Sequence, residues 1–253
     1  MKIEYVAPIT MVGGYGEAAR GTALALLRAG HEVQVRDPID GYKEAPNTAG
    51  QLSEILDRAH SFQKPDLQIV HAMPPAWSVH LRRGTPFIGL TAWETDRLPH
   101  RWLRWIDDAR PQDIWVPTTF CADVFRASGL GSRYPITVIP HPHDCDRILS
   151  AGAAPLDLAQ HGVAPDHKVV LFVGQWNARK NPEAAFAAFA RTFSRGDKVS
   201  LILKTWPPDD FRGGTTEARA WVSKQIHRLR SAYGERHAHV VGIVESLGFT
   251  DLM

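Results

Sequence analysis

The residues best placed for chemistry follow an apolar run in the second half of the chain. Val169–Val173 ends at Gly174, and Pro182 then begins a helical pattern rich in Ala and Phe. The run predicts a buried strand, followed by a polar loop and the start of a helix. Arg179 and Lys180 lie in that loop, beside the positive end of the helix dipole. This combination predicts a phosphate site, although an isolated Arg-Lys pair is also typical of solvated loop charges.

A glycine-rich loop near the amino terminus is the second candidate. Gly13, Gly14 and Gly16 let the backbone approach a ligand at a helix N-terminus, which suits a phosphate or a sugar hydroxyl. Read as Gly14-x-Gly16-x-x-Ala19, the loop also satisfies the relaxed dinucleotide fingerprint. Asp37 would then be the acid that binds the ribose at the end of the second strand. A tight turn that needs a positive φ is a further interpretation.

An acidic loop follows the predicted strand Phe87–Leu90. Polar residues at the carboxyl end of a parallel strand are where open sheets bind their ligands. Glu94 could orient a substrate hydroxyl or act as a base. Equally, Glu94 and Asp96 could cap a helix that begins near Pro99.

Potential metal ligands are concentrated in residues 140–146. They are His141, His143, Asp144, Cys145 and Asp146. Zinc sites usually need a second ligand pair elsewhere, and the sequence shows no such pair, so a metal site is disfavoured. The prolines of this segment favour a stiff interdomain hinge whose His and Asp side chains face a cleft.

The segment 100–110 is basic and rich in tryptophan. A helix of this kind can lie on a membrane surface, so weak peripheral membrane contact is one interpretation. However, Trp102, Trp105 and Ile106 recur at helical spacing, which more often marks a face that packs on the core. Two neighbouring aspartates also dilute the positive charge, and we therefore favour a core-facing helix.

Hydrophobic periodicity predicts strands that alternate with helices along the chain. The predicted strands are Ile3–Ala7, His31–Arg36, Leu67–His71, Phe87–Leu90, Ile114–Val116, Ile136–Ile139, Lys168–Gly174, Val199–Lys204 and His239–Val244. The predicted helices are Glu17–Ala29, Gln51–Phe62, Ala76–Arg83, Arg101–Ala109, Phe120–Ser128, Pro182–Phe193 and Thr216–Tyr233. This alternation predicts an α/β protein whose parallel sheets are covered on both faces.

A stretch punctuated by proline divides the pattern into two domains. The first domain is predicted at residues 1–140, a linker at 141–166 and the second domain at 167–253. A doubly wound domain has about five or six strands, whereas the second domain supplies about three. Residues 245–253 are typical of a loop that enters another helix. We therefore expect either that the chain is a fragment with an incomplete second domain or that its last domain is unusually small.

Net charge, hydropathy and cysteine count limit the kinds of partner and location that we expect for the protein. The net charge is +2, from 29 basic and 27 acidic residues, so no global field attracts nucleic acid or an anionic membrane. No apolar stretch approaches the ~20 residues that span a bilayer, and a cytoplasmic location is expected. Cys121 and Cys145 are too few for a disulfide framework.

Five stretches of the chain, taken in order, match the pattern of one known family. They are Gly13–Gly16 with its helix, Trp93–Trp102, Asp113–Phe120, Val138–Asp144, and Phe172–Gly174 together with Arg179–Pro182. Together they resemble the retaining GT-B glycosyltransferases of the large family called group 1 or family 4. The ordered set runs across nearly the whole chain.

The resemblance implies two Rossmann-like domains that face each other across a cleft. A sugar would pass from a nucleotide-diphospho-sugar to a hydroxyl of a carbohydrate or lipid-linked acceptor, with retention at the anomeric carbon. The donor would bind mainly on the second domain, where Lys180, Arg179 and Gly174 would contact its diphosphate. The acceptor would bind mainly on the first domain, close to the glycine loop formed by Gly13, Gly14 and Gly16.

The candidate catalytic residues under this resemblance are Glu94 and His141. His141 and Asp144 match the hinge pattern of the family. Glu94 and Trp93 occupy the place where many members carry a histidine. Cations and helix dipoles would stabilise the leaving diphosphate, so the resemblance implies no metal, no cofactor, no protein nucleophile and no nucleic-acid partner.

The sequence also departs from the family. Gln175 stands where many members have arginine, so Arg179 would have to supply the second cation. The pair of glutamates that grips the donor in the family would lie beyond Met253. Two alternatives therefore stay open. One is a catalytically inactive nucleotide-binding protein, and the other is an NAD-dependent oxidoreductase that uses the glycine loop and Asp37.

Overall fold

The computed structural model describes residues 1–11, 13–38, 49–143, 145, 149, 156–208, 211–234 and 236–244. The chain forms two compact units, which are Met1–Ser150 and Ala151–Met253, and each is described by itself. Asp144, Asp146 and the predicted loop and helix at 245–253 lie outside the described residues.

The first unit is built on a parallel sheet of six strands, in the order β2-β1-β3-β4-β5-β6. The strands are β1 Lys2–Val6, β2 Glu32–Arg36, β3 Leu67–His71, β4 Phe87–Leu90, β5 Asp113–Val116 and β6 Ile136–Val138. The described helices between them are α1 Gly14–Arg28, α2 Ala49–Arg58, α3 Pro74–His80, α4 His100–Ala109 and α5 Thr119–Ala127. Because all the strands are parallel, their carboxyl ends lie along one edge of the sheet.

Both faces of this sheet are covered, as the apolar runs of β3 and β4 predicted. One face packs Tyr5, Ile69 and Leu90 against α1 and α2. The other face packs against α3, α4 and α5, where Trp102 and Ile106 are buried. The tryptophan-rich helix therefore turns its apolar face to the core, as favoured from its spacing. No described helix is long and apolar enough to cross a membrane.

The second unit contains a three-stranded parallel sheet in the order β7-β8-β9 among its described residues. The strands are β7 Lys168–Val173, β8 Val199–Lys204 and β9 His239–Ile243, and the helices are α6 Pro182–Thr192 and α7 Thr215–Tyr233. One face packs Leu201, Leu203 and Val240 against both helices. The other face packs against Val163, which follows a short 3₁₀ turn at Leu158–His161.

The prediction that Val169–Val173 is buried is wrong. Val169 and Val170 are 41% and 42% exposed, and Leu171 and Val173 are both 61% exposed. The reason is topological, because β7 pairs with β8 and lies at the edge of the described sheet. An apolar run shows that a strand can be buried on both faces. How much of the strand is buried depends on the strands and helices that pack beside it.

Every predicted strand and helix is present, and the boundaries differ in two informative places. The first helix starts at Gly14 instead of Glu17, so Gly14 and Gly16 lie in its first turn. The second helix ends at Arg58 instead of Phe62. Beyond it, the N–H of His60 donates to the carbonyl of Val33 at 2.8 Å, so the chain leaves the helix to follow β2.

Candidate functional site

The loop between β7 and α6 has a defined backbone. The N–H of Gly174 donates to the carbonyl of Lys204 at 3.0 Å, which continues the pairing of β7 with β8. The N–H of Lys180 donates to Oδ1 of Asn177 at 2.9 Å and closes the loop. Asn181 has a φ of +51° and accepts the N–H of Ala184 on its own Oδ1 at 3.1 Å, so it caps α6. The positive end of the α6 dipole is therefore at the carboxyl end of β7.

The structure brings Gly174 and Lys180 together. A Cβ added at Gly174 would lie 3.5 Å from both Cβ and Cγ of Lys180, so the lysine stem lies against the glycine at the end of β7. Arg179 is the preceding residue in the loop, and both cationic side chains are exposed. Two positive charges and a helix N-terminus in one place can bind a phosphate group.

A cavity of 520 Å³ lies beside this loop, between the start of α6 and the α7 helix. Its lining includes Trp176, Asn181, Pro208, Trp221 and Gln225. The Trp176 and Trp221 rings meet edge to face with centroids 5.7 Å apart. Flat apolar surfaces next to amide groups suit a nucleoside, and the volume is in the range of small-ligand sites. The sequence signal that could have indicated this cavity is Trp176, a large aromatic residue in the loop just after the end of β7.

In the first unit, the glycine loop combines open space with one close backbone contact. Gly13 has a φ of +110°, and a Cβ added at Gly13 or Gly14 would meet nothing within 4 Å. At Gly16 an added Cβ would lie 1.9 Å from the carbonyl oxygen of Met11. Gly16 is therefore needed for packing between the loop and α1, whereas Gly13 and Gly14 leave the helix N-terminus accessible to a ligand.

A buried arginine forms hydrogen bonds with the backbone just before this loop. Arg20 donates through Nη1 to the carbonyls of Ile9 at 2.8 Å and Met11 at 3.1 Å. Its Nη2 donates to the Glu17 carboxylate at 2.9 Å, and its Nε donates to Oε1 of Gln51 at 3.2 Å. Only 1% of Arg20 is exposed, so these bonds satisfy a charge that would otherwise be costly to bury. The sequence interpretation did not include Arg20.

Asp37 accepts hydrogen bonds from the segment that follows β1. Its Oδ2 accepts hydrogen bonds from the N–H of Thr10 at 2.9 Å and from the Thr10 hydroxyl at 2.7 Å. The dinucleotide interpretation required this carboxylate to hold a ribose. Its bonds to Thr10 instead fasten β2 to the segment after β1, so the geometry disfavours that interpretation.

A polar cluster is buried at the carboxyl ends of β1, β3 and β4. Nδ1 of His71 and the hydroxyl of Tyr5 share a hydrogen bond of 2.7 Å. The Tyr15 ring lies 5.0 Å from the His71 ring, and the His141 ring stacks on the His71 ring at 6.1 Å. Nε2 of His71 is buried without a hydrogen-bond partner among the described residues, and the Tyr15 hydroxyl faces Oγ1 of Thr91 without a well-formed hydrogen bond between them. Unsatisfied polar atoms at this depth are costly, so they mark a site where a ligand hydroxyl could bind.

The cluster is uncharged near neutral pH. Burial, followed by the nearby His141, lowers the pKa of His71 to about 3. Burial, followed by the charge of His143, also lowers the pKa of His141. Burial raises the pKa of the Tyr5 and Tyr15 hydroxyls. The two neutral imidazoles can therefore exchange hydrogen bonds with a neutral hydroxyl group.

The cluster borders a mostly apolar cavity of 440 Å³. The apolar part of its lining is supplied by Pro8, Met11, Pro38, Ala72, Met73 and Ala76. Tyr15, His71 and His80 add the polar groups. Sequence reasoning missed His71 and Tyr15, although a histidine that ends an apolar strand is a recognisable signal.

Of the two candidate catalytic residues, the structure brings only His141 into this cluster. Gly21 in α1 fixes the segment that carries it, because a Cβ added there would lie 2.4 Å from the carbonyl oxygen of Pro142. Glu94 is exposed in the loop after β4 and does not line the described cavity. The N-cap of α4 is Pro99, which makes no side-chain capping bond, and capping of α4 by Glu94 or Asp96 stays a prediction.

The described residues contain no group of three or more His, Cys, Asp or Glu side chains arranged to hold a metal ion. Of the potential ligands in residues 140–146, Asp144 and Asp146 lie outside the described part of the chain.

Comparison with solved structures identifies the fold. An E. coli trehalose-6-phosphate structure bound with UDP-2-fluoro glucose has a TM-score of 0.61 and 14% identity, and the match covers 100% of this chain and 75% of that one. Sucrose-phosphate synthase from Thermosynechococcus elongatus has a TM-score of 0.58 and 16% identity, over 97% and 71% of the two chains. The chain has the GT-B fold.

A third structure with this GT-B fold is a glycosyltransferase from Rickettsia africae. It has a TM-score of 0.57 and 14% identity, and the match covers 97% of this chain and 69% of that one. No protein-family model and no curated protein matches the sequence. At these identities, what the proteins share is the GT-B fold, which confirms the α/β class with two Rossmann-like sheets.

Proposed function

We propose that the protein is a glycosyltransferase that moves a sugar from a nucleotide-diphospho-sugar to an acceptor hydroxyl, with retention at the anomeric carbon. The observation that carries this proposal is the contact of Lys180 with Gly174 at the end of β7, beside the capped N-terminus of α6. The GT-B fold supports it, and so does the UDP-2-fluoro glucose bound to the E. coli neighbour.

Lys180 and Arg179 serve the diphosphate of the donor. The bond from the anomeric carbon to the phosphate oxygen breaks as a new bond forms from that carbon to the acceptor oxygen. Negative charge develops on the departing phosphate oxygen, which takes up the proton of the acceptor hydroxyl. The two cations and the α6 dipole stabilise the departing diphosphate without a metal, because the helix dipole and the stem of Lys180 are positioned before the reaction begins. The nucleoside of the donor occupies the 520 Å³ cavity beside the loop.

The acceptor binds on the first unit, in the 440 Å³ cavity. Its reacting hydroxyl exchanges hydrogen bonds with His71 and Tyr15, whose buried polar atoms have no partner among the described residues. His141 lies against His71 and positions it. The mostly apolar lining favours an acceptor that carries an apolar group next to this hydroxyl.

Thermal unfolding of the 253-residue chain with UDP, GDP, ADP and NAD tests the donor assignment. A ligand at about 100 times its dissociation constant adds about 2.7 kcal/mol to the free energy of unfolding. We expect a shift with one nucleoside diphosphate, and Lys180→Ala should remove it. Lys224→Ala is the matched control, because Lys224 is exposed on α7 and does not line the cavity. A shift with NAD that depends on Asp37 would overturn the proposal.

Transfer itself needs a separate measurement. The nucleoside diphosphate found in the unfolding experiment names the base, and the corresponding nucleotide sugars are then supplied with apolar alcohols. Release of the nucleoside diphosphate together with an α-linked product from an α-linked donor supports a retaining transferase. Binding of the nucleotide with no turnover of any such sugar would favour the inactive nucleotide-binding alternative.

A further inference from the structure

A second polar cavity lies in the second unit, at the edge of the sheet opposite the donor loop. The residues that line it precede or begin the strands, or belong to the last turn of α7, which leads into β9. In a parallel sheet this is the amino-terminal edge, whereas the loop at Gly174 lies at the carboxyl-terminal edge. The cavity has a volume of 390 Å³ and takes no part in the proposed transfer.

The cavity is lined mainly by basic side chains. They are His167, Arg195, Arg230, His237 and His239. The carboxylate in the lining, Asp197, already accepts the N–H of Ser194 at 2.7 Å and its hydroxyl at 3.2 Å. It therefore serves a turn at the rim, and the cavity has an excess of positive charge.

Two residues of the lining each carry a buried nitrogen atom that has no hydrogen-bond partner among the described residues. These atoms are Nε of Arg230 and Nε2 of His237. His237 is only 9% exposed, and its Nδ1 donates to the carbonyl of Ala238 at 2.7 Å, which leaves Nε2 as the free edge of the ring. Nη2 of Arg230 donates to the carbonyl of Val240 at 2.6 Å, so the guanidinium is held in place. A buried polar atom without a partner is rare enough to need an explanation, and a bound ligand is one.

The other two histidines are joined through one hydroxyl. Oγ of Ser200 lies 2.8 Å from Nδ1 of His167 and 3.2 Å from Nδ1 of His239. Burial, followed by Arg230 and His167, lowers the pKa of His239. Burial is the larger cause, and the positive charge of the neighbouring basic groups adds to it. An anion in the cavity would supply the counter-charge.

We propose that this cavity binds the phosphate group of a small phosphorylated metabolite or inorganic phosphate. Arg195 and Arg230 supply charge and donors. Because Nδ1 of the neutral His237 ring carries the proton that it donates to Ala238, Nε2 of His237 can accept a hydrogen bond from a protonated phosphate oxygen. Phosphate is the anion whose several oxygens match such a set of donors. The small volume fits a compact phosphate group.

Inorganic phosphate is the first probe, titrated into the 253-residue chain at constant ionic strength and followed by NMR of the histidine rings. We expect saturable shifts of the His167, His237 and His239 signals. Arg195→Gln should weaken binding at least about tenfold, which corresponds to about 1.4 kcal/mol, because the substitution removes a charged hydrogen-bond donor. Arg195 is exposed, so this variant should fold normally.

Lys224→Gln removes the same charge outside the cavity and is the matched control. Equal weakening by Lys224→Gln and Arg195→Gln, or absence of saturable histidine shifts, would overturn the proposal. Lys180→Ala separates the two phosphate sites. A phosphate response that Lys180→Ala removes and Arg195→Gln leaves unchanged would place the ion at the donor loop and also overturn it. Glycerol 3-phosphate then separates the sources, since tighter binding than inorganic phosphate assigns an organic phosphate and equal binding assigns the free ion.

Discussion

The imidazole ring of His141 stacks on that of His71, with the ring centroids 6.1 Å apart and the planes inclined by 21°. His71 ends a core strand of the first unit, whereas His141 lies in the segment that follows β6. Their contact depends on Gly21, where α1 has no side chain and the backbone of Pro142 can approach. His141, whose position predicts a place in a hinge, is thus part of a buried polar cluster.

The buried His71 should make the first unit sensitive to acid. The pKa of His71 is about 3 in the folded protein against its usual value of 6.5, so the unfolded chain binds the additional proton as the pH falls below 6.5. Between about pH 7 and about pH 5 the free energy of unfolding should fall by about 2 kcal/mol from this group. Hydrogen exchange of the β1 and β3 amides measures it. His71→Asn should lose this component, and equal pH dependence in both proteins would contradict it. His100→Asn, at an exposed position, is the control.

Gly16→Ala should destabilise the first unit. The added methyl group would lie 1.9 Å from the carbonyl oxygen of Met11, so the loop or α1 must move. Overpacking of this kind costs about 1 to 3 kcal/mol, which urea unfolding can measure. Gly14→Ala is the control, since nothing lies within 4 Å of a Cβ there. Equal effects of the two substitutions would show that the Met11 contact is not what requires a glycine.

Gly89→Ala should displace the ring of Trp77. A Cβ on this β4 residue would lie 2.4 Å from Cη2 of Trp77, whose Nε1 donates to the carbonyl of Ala72 at 2.9 Å. We expect a loss of about 1 to 3 kcal/mol and a changed near-ultraviolet tryptophan signal. Gly50→Ala, with nothing within 4 Å, should leave both unchanged. An unaltered tryptophan signal in Gly89→Ala would refute this prediction.

Ala76→Phe should block the proposed acceptor cavity. Ala76 lines this cavity, whereas Val79 lies on the same helix and is 77% exposed. With 2-naphthol as an apolar hydroxyl probe, Ala76→Phe should weaken binding at least about tenfold, which corresponds to about 1.4 kcal/mol. Val79→Phe should bind the probe like the unaltered protein. Both variants should bind the nucleoside diphosphate like the unaltered protein. Undiminished 2-naphthol binding by Ala76→Phe would exclude this cavity as its site.

The order of elements could be predicted from the sequence because it depends on local periodicity. The strand Leu67–His71 and the helix that begins at Pro182 were located from apolar spacing and proline alone. Lys180 and Gly174 were also identified together, because a strand, a loop and a helix start adjoin in sequence. Contacts over a short separation follow from local geometry, and so this part of the candidate site could be anticipated.

The tertiary structure decided what depends on contacts between distant segments. Strand order exposes β7 although its sequence suits a buried strand, because β8 is its one partner in the described sheet. Parallel pairing brings the ends of β1, β3 and β4 to one edge, and this gathers Tyr5, His71 and Thr91 in the core. Burial then sets the pKa of His71, which no local pattern encodes, since desolvation depends on everything packed around the ring.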